Sequence, residues 1–251
     1  MPPAALAFVA LAGLVAGIVD AIAGGGGLVT MPALLALGLP PAIAISTNKG
    51  QAVFGAAASF VSYWRRDGID RPRAPVGFLA GLVGSCLGAA LLLTMRPEPL
   101  KPVVITLLVV AAVIVALRGN VTPRLERVAH PMLWLGCIAL ALGAYDGFFG
   151  PGVGSLLIVA FTLVFGDTLT RASGNAKVVN LASNVAAFAI FAYKRTILWH
   201  VALPMAGANA AGAFIGARLA LARGDRLVRV VVIVVVLAIV AKLVVDYAHG
   251  P

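Results

Sequence analysis

Ile45-Ser-Thr-Asn-Lys-Gly-Gln51 and Ser173-Gly-Asn-Ala-Lys-Val-Val-Asn180 each set a lysine and its amides inside an apolar stretch, and Lys49 and Lys177 stand 128 residues apart. The same offset carries Gly84-x-x-x-Gly88-Ala89 onto Gly212-x-x-x-Gly216-Ala217. A slightly shorter one relates Asp20-Ala-Ile-Ala-Gly-Gly-Gly-Gly27 to Asp146-Gly-Phe-Phe-Gly-Pro-Gly-Val-Gly154. Each half therefore runs in one order: acid, glycine knot, lysine, small-residue helix. The order predicts a single transmembrane domain over 1–251, with repeat one at 1–118, a linker loop at 119–130 and repeat two at 131–251. Transporters built from such repeats hold their site between them.

Composition fixes the class. Hydrophobic residues make up 61% and charged residues 11% of the chain, whereas soluble domains average about half apolar and about a quarter charged. The net charge of +10 does not mark a nucleic-acid binder. Most basic residues sit in short loops between apolar runs, as Arg65, Arg66, Arg71 and Arg73 do, and no basic–aromatic patch accompanies them. Met1-Pro2-Pro3 brings no positive charge ahead of the first apolar run, so a cleaved leader is not expected. Cys86 and Cys137 lie within apolar runs without partners at ligand spacing and read as two small core residues.

A spanning helix takes roughly 20 mostly apolar residues. Full-length segments are Ala4–Ile22, Ala42–Trp64, Ala74–Met95, Leu100–Leu117, Pro131–Phe148, Thr168–Tyr193, Ile197–Ala222 and Leu227–Tyr247. Two shorter runs, Leu28–Leu39 and Val153–Phe165, each follow a glycine knot. The expected fold is an all-α polytopic membrane protein of about eight full spanning helices plus two short broken or re-entrant ones. If each short run is an independent leg, the repeats are inverted and the loop charges of the two sides divide eleven to four. If the short runs only dip and return, the repeats are parallel and the division is nine to six. The enrichment of Lys and Arg on the cytoplasmic side favours inversion.

The chemistry-bearing residues fall at matching places in the two halves. Gly24–Gly27 and Gly150-Pro151-Gly152-Val153-Gly154 should break their helices, and broken helices at membrane depth occur only where protein or a water-filled cavity satisfies the backbone. Their N–H groups, notably at Gly25, Gly26, Gly27, Gly150, Gly152 and Gly154, suit an anion at the start of the following helix. Lys49 and Lys177 lie several residues inside their helices, where an ionisable side chain lines a cavity or pairs. Ser173, Lys177, Asn180 and Asn184 share one helical face; Asn48 and Gln51 flank Lys49. The lysines have two readings, substrate charge or a structural bridge to an aspartate. Asp20 and Asp146 have three: neutralising the lysines, coupling protons, or lying near the membrane surface. Asp167 and Arg171 are spaced to pair on one helix. The sequence shows no catalytic constellation and no P-loop, so neither an enzyme nor an ATP-driven pump is expected, and no cofactor or metal site is read.

Asp20-Ala-Ile-Ala-Gly-Gly-Gly-Gly-Leu28, Pro32-Ala-Leu-Leu35, Gly38-Leu-Pro-Pro41, Thr47-Asn-Lys49 and Tyr63-Trp-Arg-Arg66 resemble the first half of the sulfite exporter TauE/SafE family. Tyr145-Asp-Gly-Phe-Phe-Gly-Pro-Gly-Val-Gly-Ser155, Lys177-Val-Val-Asn180 and Ser183-Asn184 resemble its second half, and the likeness runs over nearly the whole chain. The resemblance implies a multi-pass protein of the bacterial inner membrane that moves sulfite, an organosulfonate or a related sulfur-containing anion. It does not choose among them, and the site residues named above rest on the residues alone. Expected partners are the small anion and the lipid bilayer, with no nucleic acid; assembly into a homo-oligomer stays open. The rival readings are a non-transporting membrane scaffold, and a cation-coupled carrier with Asp20 and Asp146 as primary ligands.

Overall fold

The structure is a computed structural model that describes residues 3–96, 129–227 and 230–231. Among them are eight helices: α1 Pro3–Ala23, α2 Gly27–Ala36, α3 Pro41–Trp64, α4 Ala74–Thr94, α5 Pro131–Phe148, α6 Val153–Phe165, α7 Leu169–Tyr193 and α8 Trp199–Arg223. Five of these, α1, α4, α5, α7 and α8, are long and apolar enough to cross a bilayer. The 24-residue α3 has the length but carries Ser46–Gln51 in its first half. The segments expected at Leu100–Leu117 and, after its first residues, Leu227–Tyr247 lie outside the described residues, as does most of the linker loop.

The glycine knots end helices where the sequence places them. Gly24 takes φ +74° and Gly150 φ +99°, a left-handed region open to glycine at little cost. After each knot a short helix starts, α2 of 10 residues and α6 of 13.

Two apolar clusters mark the two ends of the bundle. At one end meet the C-terminal turns of α1 and α3 (Ile22, Tyr63), the first half of α7 and the C-terminal half of α8 (Ala217), with Leu135 of α5 and all of α6. At the other end meet Val9 of α1, Met31 and Leu34 of α2, Ile45 of α3, Leu92 of α4, Phe191 of α7 and Val201 of α8. So α1 and α3 run one way while their counterparts α5 and α7 run the other. Each short helix brings the chain back to the end from which the preceding helix came.

Packing between the halves is reciprocal: α1 lies along α8 as α5 lies along α4, while α3 and α7 cross at the centre. The small-residue motifs make these seams. A Cβ on Gly84 would sit 2.8 Å from the Ala144 nitrogen, and one on Gly212 would sit 3.0 Å from the Leu14 carbonyl carbon. Such residues let backbones approach within a membrane, where dispersion rather than water exclusion drives association. Outward faces are apolar, as in the i, i+4 stripe Leu79, Val83, Leu87 and Leu91. Cys86 is half-buried and Cys137 exposed, so Cys137 sits on the outer face of α5 and not in the core.

The two ends are closed differently. At the first end the backbone N–H of Asp70 donates to Asn175 Oδ1 at 2.7 Å; at the other, 128 residues on and back, that of Leu198 donates to Thr47 Oγ1 at 3.2 Å. Among the described residues, the first end adds ion pairs to this closure and the other does not. Arg73 grips Asp167 with two nitrogens at 3.0 and 3.2 Å and reaches Asp70 at 2.7 Å. Asp167 thus pairs with Arg73 of the other half and not with Arg171, because the α3–α4 loop brings a planar fork to it. The positions equivalent to Arg73 and Asp167 are Val201 and Leu39, both in the apolar cluster of the opposite end. Arg73→Ala is expected to destabilise the protein by about 3 kcal/mol, because Asp167 keeps its burial and loses its cation. Thermal melting in detergent checks this, and Arg73→Lys should recover only part of the loss.

Candidate functional site

The last turn of α1 shows how a helix is ended inside the bundle. A helix leaves its final four carbonyls without partners. Here Lys177 Nζ donates to Asp20 O, Tyr63 OH to Ala21 O at 2.9 Å, Ser173 Oγ to Ile22 O at 2.7 Å, and Ser155 Oγ to Ala23 O at 2.6 Å. The Ser155 N–H adds Gly24 O at 2.9 Å and so joins the two knots. The protein itself therefore satisfies the broken helix. Lys177 also meets Asp20 Oδ2 at 2.8 Å, which makes it a cation at a helix C-terminus, where the helix dipole favours one.

Lys49 stands differently. Its ammonium meets Asp146 Oδ1 at 2.5 Å and Asn184 Oδ1 at 3.4 Å, with no backbone carbonyl among its partners. Asp146 is held on its other oxygen by Ser183 and Asn184. Each lysine is thus paired with the aspartate of the opposite half. Gly150 makes room for one of these pairs, since a Cβ there would sit 3.0 Å from both Asp146 Oδ1 and Lys49 Nζ. Gly150→Ala should for that reason, and for its positive φ, abolish transport, which uptake into proteoliposomes checks.

A cavity of about 40 Å³ lies among α1, α2, α3, α5, α6, α7 and α8. Both half-helix starts face it, with Gly24, Gly26 and Gly27 at α2 and Gly150, Gly152 and Val153 at α6. Lys49, Asp20 and Asp146 bring charge to its wall, and Asn48, Gln51, Asn180, Asn184 and Asn209 bring amides. Thr30 lines it as well and donates to Asn48 Oδ1 at 2.6 Å, while Gln51 Nε2 donates to the same oxygen at 2.9 Å. Gln51 Oε1 is buried and unpartnered.

Of the residues singled out from sequence, Asn48, Lys49, Gln51, Asn180, Asn184, Gly26, Gly27, Gly150, Gly152, Asp20 and Asp146 come together here. Ser173, Lys177, Gly25 and Gly154 do not line the cavity. The regular stripe that recommended Lys177 divides: Ser173 and Lys177 cap α1, and Asn180 and Asn184 go on to the cavity. Of the two lysines, Lys49 is the one that lines the cavity. Two lining residues were missed. Thr30 lies in a short apolar run with no polar neighbour to draw notice. Asn209 lies on the helix of the Gly212–Gly216 motif, whose small residues point to packing; its side chain fills the gap left by Gly55, where a Cβ would come 2.7 Å from Asn209 Cγ.

The polar lining does not repeat between the halves, although the backbone does. Asn180 and Asn184 correspond to Ala52 and Ala56, and Gln51 corresponds to Val179. One cavity lined by one of the two lysines thus arises from two lysine motifs.

The sulfite exporter TauE/SafE family matches the chain over residues 9–243. A "Probable membrane transporter protein ORF9" of Sinorhizobium sp is 34% identical over 97% of this chain and 94% of its own. A "Probable membrane transporter protein" of Haemophilus influenzae is 36% identical over 96% of this chain and 95% of its own. The "Probable membrane transporter protein YfcA" of Escherichia coli K12 is 32% identical over 94% of this chain and 88% of its own. No solved structure matches. The relatives bear the names of membrane transporters and not of enzymes, and the paired motifs span both halves: the chain belongs to the sulfite exporter TauE/SafE family, as a multi-pass protein of the inner membrane.

Proposed function

We propose that this membrane transporter carries a small oxyanion, sulfite or an organosulfonate, through the cavity between its halves. The observation that carries the reading is the convergence of two half-helix N-termini and the Lys49 ammonium on one buried space. Half-helix starts present the positive end of a dipole to an anion. They do so here at a depth where water does not screen them. The amides Asn180 and Asn209 supply directional donors around the same space. Lys177 supports the site from behind by closing α1, and Asp20 stands between it and the cavity.

The repeats, read as inverted, would exchange access by moving one half against the other around this cavity. Support comes from the opposite directions of α1 and α5 and from loop charge. Arg65, Arg66, Arg71, Arg73, Arg171, Arg223 and Arg226 share the end that the positive-inside rule assigns to the cytoplasm. Reporter fusions in the Arg65–Arg73 loop and in the Lys194–Arg195 loop should accordingly report opposite sides. Finding both in the cytoplasm ends the inverted reading.

The substrate test is counterflow in proteoliposomes with labelled sulfite, thiosulfate, methanesulfonate, 2-hydroxyethanesulfonate and acetate. At least one of the sulfur anions should exchange, and faster than acetate. No exchange of any sulfur anion removes the reading. The two carboxylates in the cavity wall favour a cation as ligand in one respect only, since each already holds an ammonium. Sodium-dependent flux without anion movement would establish that second reading.

A further inference from the structure

The four ionised groups at the centre sum to zero: Lys49 with Asp146, and Lys177 with Asp20. An anion entering the cavity adds a negative charge to a wall that is already neutral and already shows two carboxylates. Lys177 is fully buried and holds both the carbonyl and the carboxylate of Asp20, so its ammonium is out of reach. Lys49 faces the cavity, and of its two partners Asn184 Oδ1 is neutral and the charged one to be displaced is the Asp146 carboxylate. Substrate anion and Asp146 therefore compete for one ammonium.

The carboxylate that loses this competition has nowhere to go. Its side chain is 3% exposed, its remaining partners Ser183 and Asn184 are neutral, and the other charged group at the cavity from α1 is Asp20, of like sign. α4 and α6 carry no Asp, Glu, Lys, Arg or His, and the residue that α8 brings to the cavity is the neutral Asn209. An unpaired charge so placed is expensive and is relieved by neutralisation.

We propose that Asp146 takes up one proton for each negative charge the cavity admits, so that a monovalent anion and a proton travel together and the step carries no net charge. The inference rests on the anion reading above. The exchange balances: the ammonium keeps its three protons and changes partner from Asp146 to the anion. The proton from the aqueous side forms an O–H bond on the Asp146 carboxyl. Release of the anion reverses both changes and restores the Lys49–Asp146 pair, which is the state of the empty cavity.

The test uses the full chain in proteoliposomes with labelled 2-hydroxyethanesulfonate, a monovalent anion that does not itself titrate near neutrality, and with a pH dye inside. A proton gradient of one pH unit should concentrate the probe about tenfold at equilibrium, the ratio that one proton per anion permits. A potassium-clamped membrane potential should leave that ratio unchanged, and the dye should report one proton per anion. Asp146→Asn should still exchange the probe in counterflow but neither accumulate it nor move protons, and Asp146→Glu should recover accumulation. Net uptake of the probe by the unaltered protein without proton movement, or gradient-driven accumulation by Asp146→Asn, overturns the proposal. Should Asp146→Asn fail to insert, the proton-to-anion ratio of the unaltered protein decides, one sustaining the proposal and zero overturning it. If the unaltered protein exchanges no sulfur anion at all, the anion reading falls and the coupling with it. Net uptake without protons sinks the coupling alone.

Discussion

Lys49→Gln is expected to lower anion exchange by at least about a hundredfold, which corresponds to roughly 3 kcal/mol of lost stabilisation. The ammonium is the positive charge on the cavity wall that a ligand can reach, and the surrounding helices keep bulk water from weakening it. The single change also strands Asp146, and breaking a buried pair by removing one partner costs about 3–5 kcal/mol of stability. Transport and stability therefore have to be separated. The double variant Lys49→Gln/Asp146→Asn should regain much of the melting temperature in detergent and none of the transport. Lys49→Arg should be partly active at best, because a planar guanidinium does not fit the space beside Gly150 as an ammonium does. Lys177→Gln should behave in the opposite way. It uncaps α1 and leaves Asp20 without its cation, so the loss appears in folded yield and thermal stability. Full exchange by Lys49→Gln, or Lys177→Gln that melts normally and fails only in transport, would reverse these assignments.

The contrast between the two lysines also marks where sequence stops being informative. Helix positions were legible because apolar runs and glycine knots are local signals: α5 runs from Pro131 to Phe148 and α6 from Val153 to Phe165, as read. The cross-half packing was foreshadowed by Gly84, Gly88, Gly212 and Gly216, since small residues at that spacing have one common use in a membrane. Which lysine faces the cavity was not legible. Both sit on polar stripes, and the stripe around Lys177 is the more regular. That regularity arises because Ser173 and Lys177 complete the carbonyls of a helix far away in sequence, a demand visible only once α1 is seen to stop beside α7. Asp167 misled for a related reason. Its neighbour at i+4 is an arginine, yet the partner that reaches it with two nitrogens comes from a loop 94 residues earlier. Local spacing proposes pairs, and the topology chooses among them.

Gly24→Ala should give no monodisperse protein, whereas Gly38→Ala should purify nearly as well as the unaltered chain. The two glycines share a backbone conformation, φ +74° and +77°, so the strain of placing an L-residue there is common to both at about 1–2 kcal/mol. Their surroundings differ. Around Gly38 a new Cβ would meet nothing within 4 Å. At Gly24 it would lie 2.5 Å from the Ser155 nitrogen and 2.6 Å from Gly154 Cα, both backbone atoms of the opposite knot that cannot rotate away. Overpacking against side chains costs about 1–3 kcal/mol when neighbours can adjust. Here adjustment means parting the knots, and parting them also breaks the hydrogen bonds from Ser155 to Gly24 and Ala23. The carbonyls that end α1 would then lack partners in a medium that offers few others. Fluorescence-detected size-exclusion of the two variants side by side checks the argument. Equal monodisperse yields would mean that the contact between the knots does not hold the halves together, and that the cavity they frame must be shaped by other contacts.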